Sequence, residues 1–257
     1  MEGLRIVLEQ VNKYRRKIVP VYFFMCKILK VFSQELLQML FPAYCLGCGQ
    51  EGGVLCIKCG QDLSWQKIEL CPVCRAESLS GKICLKCVDV SLAGALAGSV
   101  YEETGLIGKL IKNFKYEYST EAGRELCKLV SDQVRGMKDF FINFDMLVPV
   151  PLHSRRWAER GFNQAEILAM TIAKESGVQI SACCLRRIKN TPRQAGLSRT
   201  DRVNNLKDAF LCQENVSGRK ILLVDDVLTT GTTLIECARI LRASGAKEVW
   251  GYTVARG

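Results

Sequence analysis

Hydrophobic and polar positions fall into two regimes along the chain. From residue 91 onward, short runs of branched apolar residues alternate with stretches in which apolar side chains recur at helical spacing. The runs at 94–101, 145–150, 178–184, 208–213, 220–225 and 248–254 are expected as strands. The periodic stretches at 105–115, 120–137, 162–176 and 232–244 are expected as helices. Such alternation implies one α/β domain over 91–257, with a mainly parallel sheet and helices on both faces. Residues 42–90 lack this rhythm and are punctuated by cysteine, glycine and proline. Residues 1–41 are basic and then apolar.

The clearest unit is Ile221 to Thr233. A branched apolar run ends in two carboxylates, Asp225 and Asp226. The loop Thr229-Thr230-Gly231-Thr232-Thr233 follows, and then Leu234, Ala238 and Leu241 mark a helix that stops at Gly245. Amide groups at a helix start lack partners, and the helix dipole there favours an anion. Gly231 permits close backbone approach, and the threonine hydroxyls add donors. The acids repel a phosphate but accept hydrogen bonds from sugar hydroxyls. An anion cradle beside a diol acceptor describes a site for a phosphorylated ribose. A P-loop is excluded, because no G-x-x-x-x-G-K-[ST] occurs.

Composition adds two facts. The net charge of +10 points to an anionic partner: a polyphosphorylated sugar, nucleic acid or an acidic membrane surface. Of 14 cysteines, eight form four C-x-x-C pairs: Cys45/Cys48, Cys56/Cys59, Cys71/Cys74 and Cys84/Cys87. Paired thiolates on a turn grip one tetrahedral zinc, and a second pair closes the site. A cytoplasmic protein with two structural zinc ions explains this spacing better than disulfides do. Sequential pairing (45, 48, 56, 59 and 71, 74, 84, 87) is favoured over an interleaved cross-brace, although spacing does not decide. Gly47 to Gly52 fits G-x-G-x-x-G but lies between knuckles, so it is rejected as a dinucleotide site.

In residues 1–41, Lys27 and Lys30 cut the apolar run short of a membrane span, and no small-residue cleavage site follows. A helix over 21–40 is expected to pack on the protein itself or a dimer mate. The alternative is weak contact with a membrane surface or partner.

Two further basic stretches carry chemistry. The first runs from Val148-Pro149-Val150-Pro151-Leu152-His153-Ser154-Arg155-Arg156 to Arg160-Gly161-Phe162-Asn163-Gln164, read as strand, basic loop and helix. It is expected to form a second anion cradle, with His153 a candidate proton shuttle. The second, 186–210, has loop composition and many arginines. It reads as a lid closing on pyrophosphate, or as a nucleic-acid surface.

These motifs together resemble the ComF family. The resemblance rests on the four C-x-x-C pairs after Leu40-Phe41-Pro42, V-P-V-P-L-H-x-R-R, R-G-F-N-Q, R-x-x-x-T-x-x-Q-x-G-L-S-R-x-x-R-x-x-N-L-x-x-A-F, and the 221–233 signature. It covers residues from about 40 to 257. It implies a double zinc ribbon followed by a type I phosphoribosyltransferase fold that binds phosphoribosyl pyrophosphate (PRPP) with Mg²⁺. By motif, Asp225 and Asp226 would meet the ribose hydroxyls, and Thr229 to Thr233 the 5-phosphate. Arg160, Gly161, Asn163 and Gln164 would belong to the second loop. Arg187, Thr191, Gln194, Arg199, Arg202 and Asn205 would belong to the flexible loop, and Lys115-Tyr116 matches a further motif. The resemblance implies a phosphoribosyltransferase of nucleoside metabolism with an unknown acceptor, linked to competence. Single-stranded DNA or DNA-uptake proteins are candidate partners. The rival reading is a non-catalytic module that binds DNA or a partner through the zinc ribbon and basic loop.

Overall fold

The computed structural model describes residues 42–63, 68–88, 90–116, 119–189, 206 and 208–257. The expectations for residues 1–41 lie outside them. The chain divides into two compact units, Met1–Val54 and Leu55–Gly257. In the first, residues 42–54 fold into a knuckle. The Cys45 amide donates to the Gln50 carbonyl and the Gly49 amide to the Cys45 carbonyl, each at 2.8 Å.

The second unit begins with a short helix, α1 (Ile57–Gln61). It continues through β1 (Gly94–Val100), α2 (Leu106–Tyr116), α3 (Thr120–Gly136), α4 (Lys138–Phe141) and β2 (Met146–Pro149). Then come α5 (Ser154–Arg160), α6 (Gln164–Ser176), β3 (Leu185–Arg187), β4 (Phe210–Cys212), β5 (Lys220–Leu228), α7 (Thr232–Ala243) and β6 (Glu248–Arg256). The main sheet has the order β1-β6-β5-β2 and every pairing in it is parallel. Because β5 is central, Ile221, Leu222, Leu223 and Val224 are all fully buried, as a strand covered on both faces requires.

Alternation along β5 sorts the core. Ile221 and Leu223 face a cluster with Leu234, Cys237, Ala238 and Leu241 of α7 and Phe210 of β4. Helix α6 packs on β2 and β5, and α3 packs on α6 and α2. In α2, Ile107, Leu110, Ile111 and Phe114 make the buried stripe. Ser119 caps α3 by accepting from the Ala122 amide at 3.1 Å. The second cysteine knuckle packs against β1: Ile68 bridges Ala97 and Lys82 bridges Gly94.

Two expectations are corrected. Residues 178–184 do not form a strand. They touch β2 through one bridge, Ile180 to Leu147, and then bend. The pairing residues are instead 185–187, which meet 210–212 in a separate two-stranded antiparallel sheet. The basic loop after β2 contains a helix, α5, ended by Gly161 in the left-handed conformation (φ 76).

Phe141 is fully buried and meets Tyr252 edge-on at 5.3 Å. Phe141→Ala should therefore destabilise the protein by about 3–5 kcal/mol. Urea unfolding would check this, and a loss below about 1 kcal/mol would contradict the packing described.

Candidate functional site

The site is made where β5 outruns a neighbour. Strand β2 pairs with β5 only as far as Val224, whereas β6 stays paired to Leu228. The sheet therefore opens beside Asp225 and Asp226, at the carboxyl ends of the strands where such sheets bind ligands. The two acids point to opposite faces, as neighbours on a strand must. Asp225 lies on the α7 side within the electrostatic reach of Arg187, and its Oδ1 accepts the Asp226 amide at 2.8 Å. Asp226 is buried, and its carboxylate sits 2.7 Å from Nζ of Lys115.

Electrostatics distinguish the pair. Burial, and then the adjacent Asp226 charge, push Asp225 up to about 7. Burial alone would lower the pKa of Lys115, but the Asp226 carboxylate outweighs it and the ammonium is stabilised. The site thus holds one firmly paired acid and one poised near neutrality, which an arriving cation or hydroxyl donor would favour as the anion.

Beyond Leu228 the chain turns through Thr229 and Thr230 into α7. Gly231 is the cap residue at φ 75, and it supplies no side-chain cap. The first-turn amides of α7 are therefore not capped by that residue, and Thr230 and Thr232 share a hydroxyl hydrogen bond of 2.9 Å. Residues 229–233 line a small hollow there.

A cavity of about 280 Å³ joins these groups. Asp225, Asp226, Thr229 and Thr233 form one wall, and Lys115, Arg156, Arg160, Gln164 and Arg187 contribute others. Arg160 donates to Gln164 Oε1 at 2.7 Å and lies 5.1 Å from the Tyr116 ring centre. Arg187 is buried on β3, not on a loop, with its guanidinium 5.5 Å from the Phe210 ring centre. Burial, then the neighbouring Arg156 charge, lowers its pKa.

The remaining sequence candidates divide. Asn163 is buried and holds the fold: it caps α6 through the Ala165 amide and donates to the Val150 carbonyl, both at 3.1 Å. His153 caps α5 by accepting from the Arg155 amide at 3.2 Å. Neither of them, nor Gly161, lines the cavity. Thr191, Gln194, Arg199, Arg202 and Asn205 lie outside the described residues. Arg156, one of the arginines of the basic stretch after β2, also lines the cavity. What the sequence reading lacked was α5, which places 156 and 160 four apart on one helix face.

The cysteines gather sequentially. The sulfurs of Cys45, Cys48, Cys56 and Cys59 lie within 4.8 Å of one another, as do those of Cys71, Cys74, Cys84 and Cys87. Four thiolates at that spacing suit one tetrahedral zinc each and leave no position for water, so the metal would be structural. Metal analysis should return two zinc ions per chain; a metal-free, folded protein would contradict this.

The raised pKa of Asp225 has a stability consequence. As pH climbs, the unfolded chain ionises this acid first, so stability is lost between about pH 4 and about pH 7. Asp225→Asn keeps the oxygen that accepts the Asp226 amide and removes that loss. A rise from the ordinary carboxylate value to about 7 corresponds to about 4 kcal/mol, so its ligand-free melting temperature at about pH 8 should exceed the parent's by about 8–16 °C, with the gap closing near about pH 4. No gap at the higher pH in a melting series would contradict the assignment.

The phosphoribosyl transferase domain family matches residues 133–257, and the double zinc ribbon domain family matches residues 36–89. Competence protein F of Haemophilus influenzae is 32% identical over 221 residues, covering 78% of this chain and 96% of that protein. DNA utilization protein YhgH of Salmonella typhimurium is 30% identical over 205 residues, covering 79% and 90%. Among solved structures, adenine phosphoribosyltransferase from Leishmania tarentolae aligns over 60% of this chain and 74% of its own, with 16% identity and a TM-score of 0.35. Similarity to competence protein F along most of both chains, together with the ribbon and transferase domains, establishes that this chain belongs to the ComF family.

Proposed function

We propose that the cleft at the end of β5 binds PRPP with Mg²⁺ and transfers its phosphoribosyl group, or senses it, in DNA utilisation. The observation that supports this best is the coincidence of an acid pair, a helix-start loop and a cationic wall at one strand end. The 5-phosphate would sit on the amides and hydroxyls of Thr229–Thr233. Asp225 and Asp226 would accept from the ribose 2- and 3-hydroxyls. Arg156, Arg160 and Arg187 would face the pyrophosphate.

Mg²⁺ prefers oxygen ligands, so the pyrophosphate and the ribose held by the acid pair suit it, and it would spread the leaving charge. In the transfer, the C1–oxygen bond breaks and pyrophosphate departs with the electron pair. The acceptor then bonds to C1 and releases its proton. The chain's own share is positioning and electrostatic stabilisation: the acids fix the ring, and the arginines meet the growing charge.

A second reading keeps the ligand and drops the turnover. It draws support from the relatives named for competence and DNA utilisation and from the excess of 36 Lys and Arg over 26 Asp and Glu. There PRPP would be a signal, and the basic surface would contact single-stranded DNA with salt-dependent affinity.

Calorimetry of the zinc-loaded protein with PRPP and Mg²⁺ tests the shared core of both readings. Binding is expected in the parent, and Asp225→Ala with Asp226→Ala should weaken it by about 100-fold or more, as for two lost hydrogen bonds to charged groups. Equal affinity in the double variant would sink the proposal. Pyrophosphate release across a panel of acceptors then separates enzyme from sensor.

A further inference from the structure

The second cysteine knuckle meets the phosphate loop from behind. A Cβ built on Gly231 would lie 2.7 Å from the Pro72 carbonyl oxygen, so the two backbones pack with no room for a side chain. Arg75, the residue directly after that turn, has a left-handed backbone (φ 65) and donates from Nη2 to the Thr229 carbonyl at 3.5 Å. The knuckle is itself anchored. The buried guanidinium of Arg256 donates to the Leu70 carbonyl at 3.1 Å and the Cys71 carbonyl at 2.8 Å. Arg256 is the register partner of Leu228, the last residue of β5 before the loop. Strand end, loop and knuckle thus close a ring of contacts.

That ring has a directional effect. In a trans peptide the carbonyl and the next amide point opposite ways. Holding the Thr229 carbonyl toward Arg75 turns the Thr230 amide away from the knuckle, the orientation an anion cradle on the far side needs. A loop of threonines and one left-handed glycine has little else in its own sequence to fix it. Holding it beforehand reduces the ordering that a phosphate must otherwise impose. Pro72 lies between Cys71 and Cys74, and Arg75 follows Cys74, so the gathered thiolates set the shape of the turn that does the holding.

We propose that this knuckle is part of the 5-phosphate site. Pro72–Arg75 positions Thr229–Gly231, Arg75 is the positioning residue, and phosphate affinity depends on the second set of four cysteines staying closed. The inference rests on the phosphoribosyl reading and deepens it by coupling the ribbon to the ligand.

The test uses full-length, zinc-loaded protein and two probes by calorimetry. Ribose 5-phosphate reports the loop, and pyrophosphate with Mg²⁺ reports the arginine wall. Arg75 is exposed, so its replacement should leave the fold and zinc content intact. Arg75→Ala should weaken ribose 5-phosphate by about fivefold to tenfold, the size of one hydrogen bond, and move pyrophosphate by less than about twofold. Arg75→Lys should recover most of the loss. Cys74→Ser should release one zinc and weaken ribose 5-phosphate further. If that variant fails to fold, Arg75→Ala alone decides. Parent-like ribose 5-phosphate affinity in Arg75→Ala would overturn the inference, as would an equal loss for both probes. A parent protein that binds neither probe would instead bring down the phosphoribosyl reading, and this inference with it.

Discussion

The structure depends on unequal strand lengths. β5 is clamped on one side by β6 to its last residue, while β2 releases it at Val224. The clamped side gives the strand end rigidity, and the released side gives it access. Without the first, the acid pair and loop would have no fixed geometry. Without the second, Asp225 and Asp226 would be sealed in a sheet where no ligand could reach them. The cavity, the paired lysine and the arginine wall all gather at this step in the sheet edge.

The charges around the step are arranged so that each is answered before any ligand arrives. Lys115 holds Asp226, Gln164 holds Arg160, and the Phe210 ring lies beneath Arg187. Asp225 is the exception, since burial raises its pKa without a direct cation to lower it fully. A site of this kind is costly to stability at neutral pH and is relieved by a ligand that satisfies the acid, a common cost of building a functional site. Among the described residues no helix is long and apolar enough to cross a membrane.

Much of this was legible in the residues. The run 221–224, the acids and the Thr-Gly loop specify strand, turn and helix through local chemistry alone, and the structure adds only that β5 continues to Leu228. The C-x-x-C spacing was equally local, and the sulfurs gather in the sequential pairing. What failed was what depends on partners. Residues 178–184 alternate like a strand, yet β2 offers them one residue of edge before the chain bends. The short antiparallel pair of 185–187 with 210–212 is held by Leu185 and Phe210 in the α7-side core, a tertiary effect that no window of sequence reports. The prolines and arginines of 149–160 suggested a loop, but Ser154–Arg160 follows the prolines and is free to coil, which is how Arg156 enters the site. The contact of Pro72 with Gly231 was beyond reach for the same reason: it joins residues far apart in sequence.

The most direct measurement is a crystal structure of the zinc-loaded protein with PRPP and Mg²⁺. The account predicts the 5-phosphate on the amides of Thr229–Thr233, the ribose hydroxyls on Asp225 and Asp226, and the pyrophosphate facing Arg156, Arg160 and Arg187. Ligand density at any other place, with this strand end left empty at saturating concentration, would contradict it.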